Sequence, residues 1–216
     1  MARVRKQAGA KEKLYSYAPW VVLEPYEHKG KWQKIFAQEQ PLAIEIGMGR
    51  GNFIFEMAKR HPEINFLGIE VIEEVLNEAI ERMEQKGGVP ENLHFIWVNA
   101  QNLADIFAPG EVSWIYLNFS DPWPKNRHSK RRLTHSNFLK QYEEILTAEG
   151  VLQQKTDSRE LFEFSLNELA QRDWKFKQIS LDLYRKLPED NVPTEYEMKF
   201  VKQGLPIYFL QAAKIK

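Results

Sequence analysis

Short apolar stretches alternate with amphipathic ones through most of the chain, and this alternation limits the possible folds more than any other feature. Repeated strand–helix units of this kind predict a parallel sheet with right-handed crossovers. Two later apolar stretches lack such a strong crossover, which predicts an antiparallel C-terminal edge. We therefore expect an α/β, Rossmann-like fold with a central, mostly parallel seven-stranded sheet and helices on both faces. The expected strands are 42–46, 65–70, 93–98, 112–117, 151–155, 174–183 and 206–213, and the expected helices are 52–60, 73–85, 137–146 and 158–171.

Composition restricts the class of protein. The chain has 216 residues, of which 43% are hydrophobic, and this suits one α/β domain with a sizeable core. The absence of cysteine excludes disulfides, thiolate zinc sites and cysteine nucleophiles. The first residues lack the apolar stretch of a signal peptide, and no later run reaches membrane-spanning length, so we expect a soluble, cytoplasmic protein. The five histidines show no paired metal-ligand spacing, so no metal is expected.

Charge is unevenly distributed, although the formal net charge is zero. Residues 3–13 carry five cations and one acid, and residues 125–132 carry five cations and no acid. We interpret residues 1–20 as a basic, mobile arm and residues 21–216 as a single domain. The block at 125–132 suits phosphates, although a solvated basic stretch would have the same composition.

A glycine-rich loop, Glu45-Ile-Gly47-Met-Gly49-Arg-Gly51, follows the first expected strand. Glycines let the backbone turn tightly and approach a ligand, and open α/β sheets bind ligands at the carboxyl ends of their strands. Glu70 ends the next strand, where its carboxylate could accept both hydroxyls of a ribose. Nicotinamide folds require Gly-x-Gly-x-x-Gly facing a diphosphate, whereas Glu45 would repel a diphosphate. An acid beside the loop instead favours the sulfonium and ammonium groups of S-adenosylmethionine.

Each of these residues also has an ordinary structural interpretation. The glycines could form only a tight turn, Glu45 could lie in an ion pair with a helix, and Glu70 could be an exposed strand end. Asn99 ends the third strand and suits an adenine edge, but asparagine is equally common there as a turn former. The coincidence of loop and acid at the first two strands favours a cofactor site.

A second motif, Asn118-Phe-Ser-Asp-Pro-Trp-Pro-Lys125, joins an acid-bearing loop to the basic block. Asp121 and Trp123 each precede a proline, which predicts extended backbone at both. A rigid loop with one carboxylate and one indole suits a flat polar ring. Beside a phosphate-binding block, it indicates an enzyme acting on a base within a nucleic acid. Trp123 could stack on that base or simply anchor the loop.

Two further residue patterns have capping interpretations. Asp157 directly precedes the helix expected at 158–171 and is a good N-cap. Thr194-x-x-Glu197 is a capping-box pattern. Capping and substrate contact are compatible, because a cap side chain lies at a junction that faces the ligand crevice.

These motifs resemble those of the bacterial tRNA (guanine-N7-)-methyltransferases. The resemblance runs from about Trp32 to the C-terminus, and its central motif is highly specific. It rests on Glu45-Ile-Gly-Met-Gly-Arg-Gly51, Gly68-Ile-Glu70, Tyr116-Leu-Asn-Phe-Ser-Asp-Pro-Trp-Pro-Lys125, Arg127-His-x-Lys-Arg-Arg132, Lys155-Thr-Asp157 and Thr194-Glu-Tyr-Glu197.

The resemblance implies a class I methyltransferase fold and a catalytic domain at 21–216. It implies transfer of a methyl group from S-adenosylmethionine to N7 of a guanosine in the variable loop of tRNA. It places four residues in the cofactor site, namely Glu45, Glu70, Asn99 and Asp121. It places the substrate contacts at Lys125, Asp157, Thr194, Glu195, Tyr196 and Glu197, and the tRNA contacts at Arg127, His128, Ser129, Lys130, Arg131 and Arg132.

Asp121 is the expected catalytic residue. Guanine N7 carries an in-plane lone pair and no proton, so the reaction needs alignment and no general base. Asp121 would orient guanine by accepting from its N1–H and amino group, or stabilise the cationic product, and we favour orientation because a charge against the sulfonium stabilises the ground state as well. The family often has Asp where Asn99 stands, and phenylalanine is frequent at Gln154.

Two other functions remain open from sequence. Asn118 and the following Asp-Pro-Trp loosely resemble the loop of adenine-N6 methyltransferases. A non-catalytic RNA-binding module with a degenerate cofactor fold would retain the same basic block. Monomer and homodimer are equally compatible with the sequence.

Overall fold

The computed structural model describes residues 9–172 and 174–214 of the chain. These residues form two compact units, Met1–Phe107 and Ala108–Lys216. Among the described residues, no helix is long and apolar enough to cross a membrane.

The first unit contains four parallel strands in the order β1-β4-β3-β2. All residues of β2 and β3 are buried, as expected for parallel strands covered on both faces. Glycine at Gly51 caps α2 with a left-handed backbone, which starts the helix immediately after the glycine loop. The elements are α1 (Ala10–Ser16), β1 (Val21–Val22), β2 (Leu42–Ile46), α2 (Asn52–Arg60), β3 (Asn65–Glu70), α3 (Glu73–Gln85), β4 (Leu93–Trp97) and α4 (Leu103–Ile106).

The segment that we interpreted as a basic, mobile arm, residues 1–20, contains a helix in its described part, and its mobility stays a prediction. Residues 1–8 lie outside the described residues. From residue 10 the chain forms α1, whose Leu14 is buried. Asn77 of α3 donates to the carbonyl of Ala10 at 2.8 Å, and Lys13 forms an ion pair with Glu81 of α3. We did not predict this helix from sequence, because the basic composition of residues 3–13 suggested a mobile arm. The two buried residues of the helix, Ala10 and Leu14, lie one turn apart.

The second unit contains four strands in the order β5-β6-β8-β7. The β5–β6 pair is parallel, whereas β8 pairs antiparallel with both β6 and β7. This arrangement confirms the predicted antiparallel C-terminal edge. The elements are β5 (Val112–Asn118), α5 (Ser136–Ile145), β6 (Leu146–Thr156), α6 (Arg159–Ala170), β7 (Trp174–Ser180), α7 (Glu195–Val201) and β8 (Tyr208–Lys214).

The seven expected strands all occur, and the described residues add an eighth, β1. Two residues are too few to show a periodic pattern, so sequence could not predict it. β6 begins earlier than expected, at Leu146, and the register against β5 shifts between Val112 and Trp114. Five short 3₁₀ helices in the described chain, also absent from the prediction, lie at Pro25–His28, Trp32–Ile35, Ala100–Asn102, Asn126–Arg131 and Leu183–Arg185.

Candidate active site

The glycine loop leaves open space beside its first two glycines. Gly47 and Gly49 have φ values of 74° and 56°, and a Cβ added to either would meet nothing within 4 Å. A Cβ on Gly51 would instead lie 2.5 Å from Cε of Met83. The first two glycines therefore let a ligand approach the backbone, while the third allows close packing of the helix.

Glu70 holds the glycine loop in place. Its Oε2 accepts the backbone N–H of Gly49 at 3.0 Å. Its Oε1 accepts the N–H groups of Val71 and Ile72, at 2.8 and 3.1 Å. These bonds occupy three of the roughly four lone-pair positions of a carboxylate, so a ribose bound through both hydroxyls must displace at least one of them.

The other two acid and amide positions of the first unit differ in exposure. Glu45 lies on β2 and is buried, with 2% of its surface exposed. Asn99 is exposed and caps the 3₁₀ helix at Ala100–Asn102, because its side chain accepts the N–H of Gln101 at 3.1 Å. Its turn-forming interpretation is therefore correct. An additional contact with adenine stays a prediction.

The open glycine loop, the buried acid and the strand-end carboxylate fit S-adenosylmethionine chemically. The sulfonium and ammonium are cations, and Glu45 places a buried carboxyl group on β2, directly before the loop. Glu70, at the end of β3, supplies the carboxylate acceptors that ribose hydroxyls require. Among the described residues there is no group of three or more metal-ligating side chains.

The acid-bearing loop of the second unit begins and ends at strained residues. Phe119 and Trp123 have φ values of 51° and 41°, in the left-handed region that side chains disfavour. The prediction of extended backbone at Trp123 is therefore wrong. Such strain, about 1–3 kcal/mol per residue, persists only where surrounding contacts impose it. Asp121 lies between the two strained residues and is half-buried.

Arg132 supplies the contacts that hold this loop. It is buried, with 6% of its surface exposed. Its Nε donates to the carbonyl of Pro122 at 3.0 Å, and its Nη2 donates to the carbonyl of Trp123 at 3.1 Å. Its guanidinium also lies 4.5 Å from the ring centroid of Phe164. Arg132 thus holds the loop in this structure, and the contact with tRNA that the resemblance implies for it stays a prediction.

The rest of the basic block forms the 3₁₀ helix at Asn126–Arg131. The guanidinium of Arg131 lies 4.8 Å from the Trp123 ring centroid, and the His128 ring meets that indole edge-on at 5.8 Å. Trp123 is therefore packed against the block, which supports its interpretation as a loop anchor. The exposed cations of the block are Lys125, Arg127, Lys130 and Arg131, whereas Ser129 and His128 are partly buried.

The Thr194–Glu197 pair forms the predicted capping box. The N–H of Glu197 donates to Oγ1 of Thr194 at 2.9 Å, and Oε2 of Glu197 accepts the N–H of Thr194 at 3.2 Å. Glu197 is fully buried, while Glu195 and Tyr196 are exposed. The resemblance implies four substrate contacts at 194–197. Of these, only Glu195 and Tyr196 present exposed side chains.

Asp157 does not have the capping role that we expected. Ser158 caps α6, because its Oγ accepts the N–H of Leu161 at 3.2 Å. The helix begins one residue later than the expected 158. Asp157 is consequently an exposed side chain that follows the carboxyl end of β6. In open α/β sheets, ligands bind at such strand ends.

Comparison with known proteins gives the family. A family model described as "Putative methyltransferase" matches residues 39–210. The tRNA (guanine-N(7)-)-methyltransferase of Clostridioides difficile (strain 630) is 46% identical over 213 residues, covering 98% of this chain and 99% of that protein. The enzyme of the same name from Streptococcus sanguinis (strain SK36) is 46% identical over 211 residues, covering 98% and 99%.

The chain belongs to the tRNA (guanine-N(7)-)-methyltransferase family. A solved structure supports the fold: the 16S rRNA methyltransferase KamB matches with a TM-score of 0.63 at 14% identity, over 87% of this chain and 94% of that one. The Rossmann-like methyltransferase fold expected from sequence is thus confirmed.

Sequence reasoning missed Tyr184 and Asn191, and it gave no separate role to Lys155; these three residues surround Glu197. Lys155 and Glu197 form a buried ion pair at 3.0 Å. Tyr184 donates its hydroxyl to Glu197 at 3.0 Å, and burial, together with the charge of Glu197, raises the pKa of this tyrosine. Asn191 also donates to Glu197, at 3.2 Å. The lysine was visible as the first residue of Lys155-Thr-Asp157, but sequence gives no sign of its burial.

Proposed function

We propose that this chain transfers the methyl group of S-adenosylmethionine to N7 of a guanosine in the variable loop of tRNA, as a cytoplasmic tRNA-modifying enzyme. The observation that carries the proposal is the arrangement of Asp121, Arg132 and the exposed cations in the second unit. A half-buried carboxylate, Asp121, lies in a strained loop that Arg132 holds from inside, and four exposed cations follow it. The family membership supports the same reaction and substrate.

The chemistry requires orientation and a donor of an activated methyl group. S-adenosylmethionine, when bound, supplies a methyl carbon that a neutral nitrogen lone pair can attack. Because N7 carries no proton, the protein need not supply a general base. Asp121 would accept from N1–H and the amino group of guanine and so fix the in-plane direction of N7.

The first unit would hold the methyl donor. Gly47 and Gly49 would allow the donor to approach the backbone, and Glu45 would attract its cationic groups. Glu70 would exchange part of its backbone hydrogen bonding for ribose hydroxyls. Asn99 has an acceptor, as Asp would, and adds a donor amide, so it could pair with an adenine edge.

The second unit would hold the nucleic acid. Lys125, Arg127, Lys130 and Arg131 are exposed and would contact phosphates, whereas Arg132 would act through the loop. Lys125, Asp157, Glu195 and Tyr196 present exposed side chains that suit direct contact with the target nucleoside. A base within a stack must be unstacked before it can be methylated, so the tRNA must expose or release this guanosine.

One experiment tests the proposal and separates it from the alternatives. The full chain is incubated with bulk tRNA and labelled S-adenosylmethionine, and the product is tested for strand scission at 7-methylguanosine. Scission within the variable loop is the expected result. Methylation of adenine would overturn the proposal in favour of an adenine-N6 enzyme, and tight tRNA binding without methyl transfer would leave only an RNA-binding module.

A further inference from the structure

Lys155 joins two segments that the proposed function uses. It lies near the end of β6 with 1% of its surface exposed. Its backbone carbonyl accepts the N–H of Phe119 at 2.9 Å, at the start of the acid-bearing loop. Its side chain points to a different segment, the one that contains the capping box. One residue therefore contacts both segments, through separate groups.

The Lys155 ammonium donates to three acceptors in the segment from Asn191 to Glu197. Nζ donates to Oδ1 of Asn191 at 2.5 Å and to the carbonyl of Val192 at 3.0 Å. It also donates to Oε2 of Glu197 at 3.0 Å. An ammonium has three N–H donors, so all three have an acceptor here.

Glu197 completes the connection from the other side. Its Oε2 accepts from Lys155 and from the N–H of Thr194. Its Oε1 accepts the Tyr184 hydroxyl and the Asn191 amide. Because these four bonds occupy the carboxylate, Glu197 shapes the segment that presents Glu195 and Tyr196 and cannot also bind substrate in this conformation.

The two segments also meet through aromatic rings. Phe119, at φ 51°, stacks on Phe200 of α7 with ring centroids 6.1 Å apart and planes at 12°. Both rings pack against the buried cluster of Leu183, Ile207 and Phe209. The strained end of the acid-bearing loop is therefore tied to the helix that follows the capping box.

Burying an ion pair costs desolvation free energy, and a pair of apolar side chains of similar volume often gives equal or greater stability. An ammonium and a carboxylate do offer directional bonds that an apolar pair lacks. The arrangement of Lys155 is better explained by a need for fixed geometry than by a need for stability.

We propose that Lys155 is a positioning residue for methyl transfer. Through its carbonyl and its ammonium, it fixes the loop of Asp121 relative to the segment Thr194-Glu-Tyr-Glu197, so that both meet the target guanosine in one geometry. This inference rests on the proposed function and adds to it a residue that touches neither substrate nor donor.

The test compares Lys155→Met with the double variant Lys155→Met/Glu197→Gln. The single variant leaves Glu197 buried without its cation and should unfold at a lower temperature, whereas the double variant removes both charges and should regain thermal stability. Both should lose about tenfold to a hundredfold in single-turnover methyl transfer at saturating tRNA and S-adenosylmethionine, with less than about threefold change in tRNA affinity. Recovery of rate together with stability in the double variant would overturn the inference.

Arg172→Met provides the matched control in the same unit. Arg172 donates from its Nε to Glu143 at 2.6 Å, in an ion pair that touches neither segment. This variant should lose thermal stability but keep its single-turnover rate. A rate loss in Arg172→Met as large as that in Lys155→Met would show that general destabilisation explains the effect, and would also overturn the inference.

Hydrogen exchange gives a readout that does not depend on activity. Lys155→Met should exchange faster at 119–125 and at 191–198 together, while Arg172→Met should not. A wild-type chain that fails to methylate tRNA would refute the proposed function, and the exchange data would still decide whether Lys155 couples the two segments. Unchanged exchange in both segments would refute the coupling itself.

Discussion

The guanidinium of Arg132 donates to the backbone carbonyls of Pro122 and Trp123, at 3.0 and 3.1 Å. These bonds attach the last cation of the basic block to the loop that carries Asp121. The block therefore has two parts: exposed cations that can reach phosphates, and a buried one that holds the loop. Sequence composition alone makes these cations equivalent, and the structure separates them.

The exposed part predicts a specific salt dependence of tRNA binding. Four phosphate contacts would give about a hundredfold loss of affinity between 50 and 200 mM salt, and the double variant Arg127→Ala/Lys130→Ala should reduce this loss to about tenfold. Filter binding or fluorescence anisotropy over a salt series measures the slope. Lys175→Ala/Lys177→Ala, which removes two exposed cations from β7, is the control and should leave the slope at its wild-type value. If both double variants flatten the slope equally, the block is not the docking surface.

Replacing Arg132, the buried cation of the basic block, by methionine (Arg132→Met) should lower the methyl-transfer rate and leave the salt dependence unchanged. Without the two hydrogen bonds, the left-handed backbone at Trp123 loses its support and should relax. We expect the single-turnover rate to fall by about tenfold to a hundredfold, with a salt slope like that of the wild type. The same binding series and a rapid-quench assay measure both quantities. A flattened slope with a normal rate would return Arg132 to the tRNA-binding surface.

Asp121→Ala tests the catalytic assignment. If this carboxylate orients guanine, its loss should lower turnover by about a hundredfold or more, with little change in tRNA affinity, because the phosphate contacts are retained. Steady-state rates and tRNA titrations measure the two effects. Asp105→Ala removes an exposed carboxylate outside the motif and should behave as wild type. Unchanged turnover in Asp121→Ala would remove its assigned role.

The order of strands and helices was predictable because their signals are local. The strands around Glu45 and Glu70 are continuous apolar runs, and the helix at Asn52–Arg60 starts directly after the glycine loop, so pattern and start signals agree. The capping box at Thr194 was predictable for the same reason, since both of its partners lie within one turn.

The contacts that build the site were not predictable, because they join residues far apart in sequence. Lys155 reaches Glu197 across 42 positions, and no local pattern marks either residue as buried. The proline after Trp123 predicts extended backbone, but contacts with Arg131 and Arg132 hold it left-handed. At Asp157 the prediction failed by one residue, since two adjacent side chains can both cap a helix and Ser158 does so.

Alanine substitutions at Gly47 and Gly110 distinguish the cost of backbone strain from a loss of cofactor binding. Gly47 and Gly110 have φ values of 74° and 72°, and at both an added Cβ meets nothing within 4 Å. Replacing either by alanine should cost about 1–2 kcal/mol in the free energy of unfolding, because only glycine adopts this backbone without strain. Gly47→Ala should in addition weaken S-adenosylmethionine binding, since its new methyl group occupies space that the donor would use. Urea denaturation and calorimetric titration of the donor measure the two quantities, and equal donor affinity in both variants would show that the donor binds away from the glycine loop.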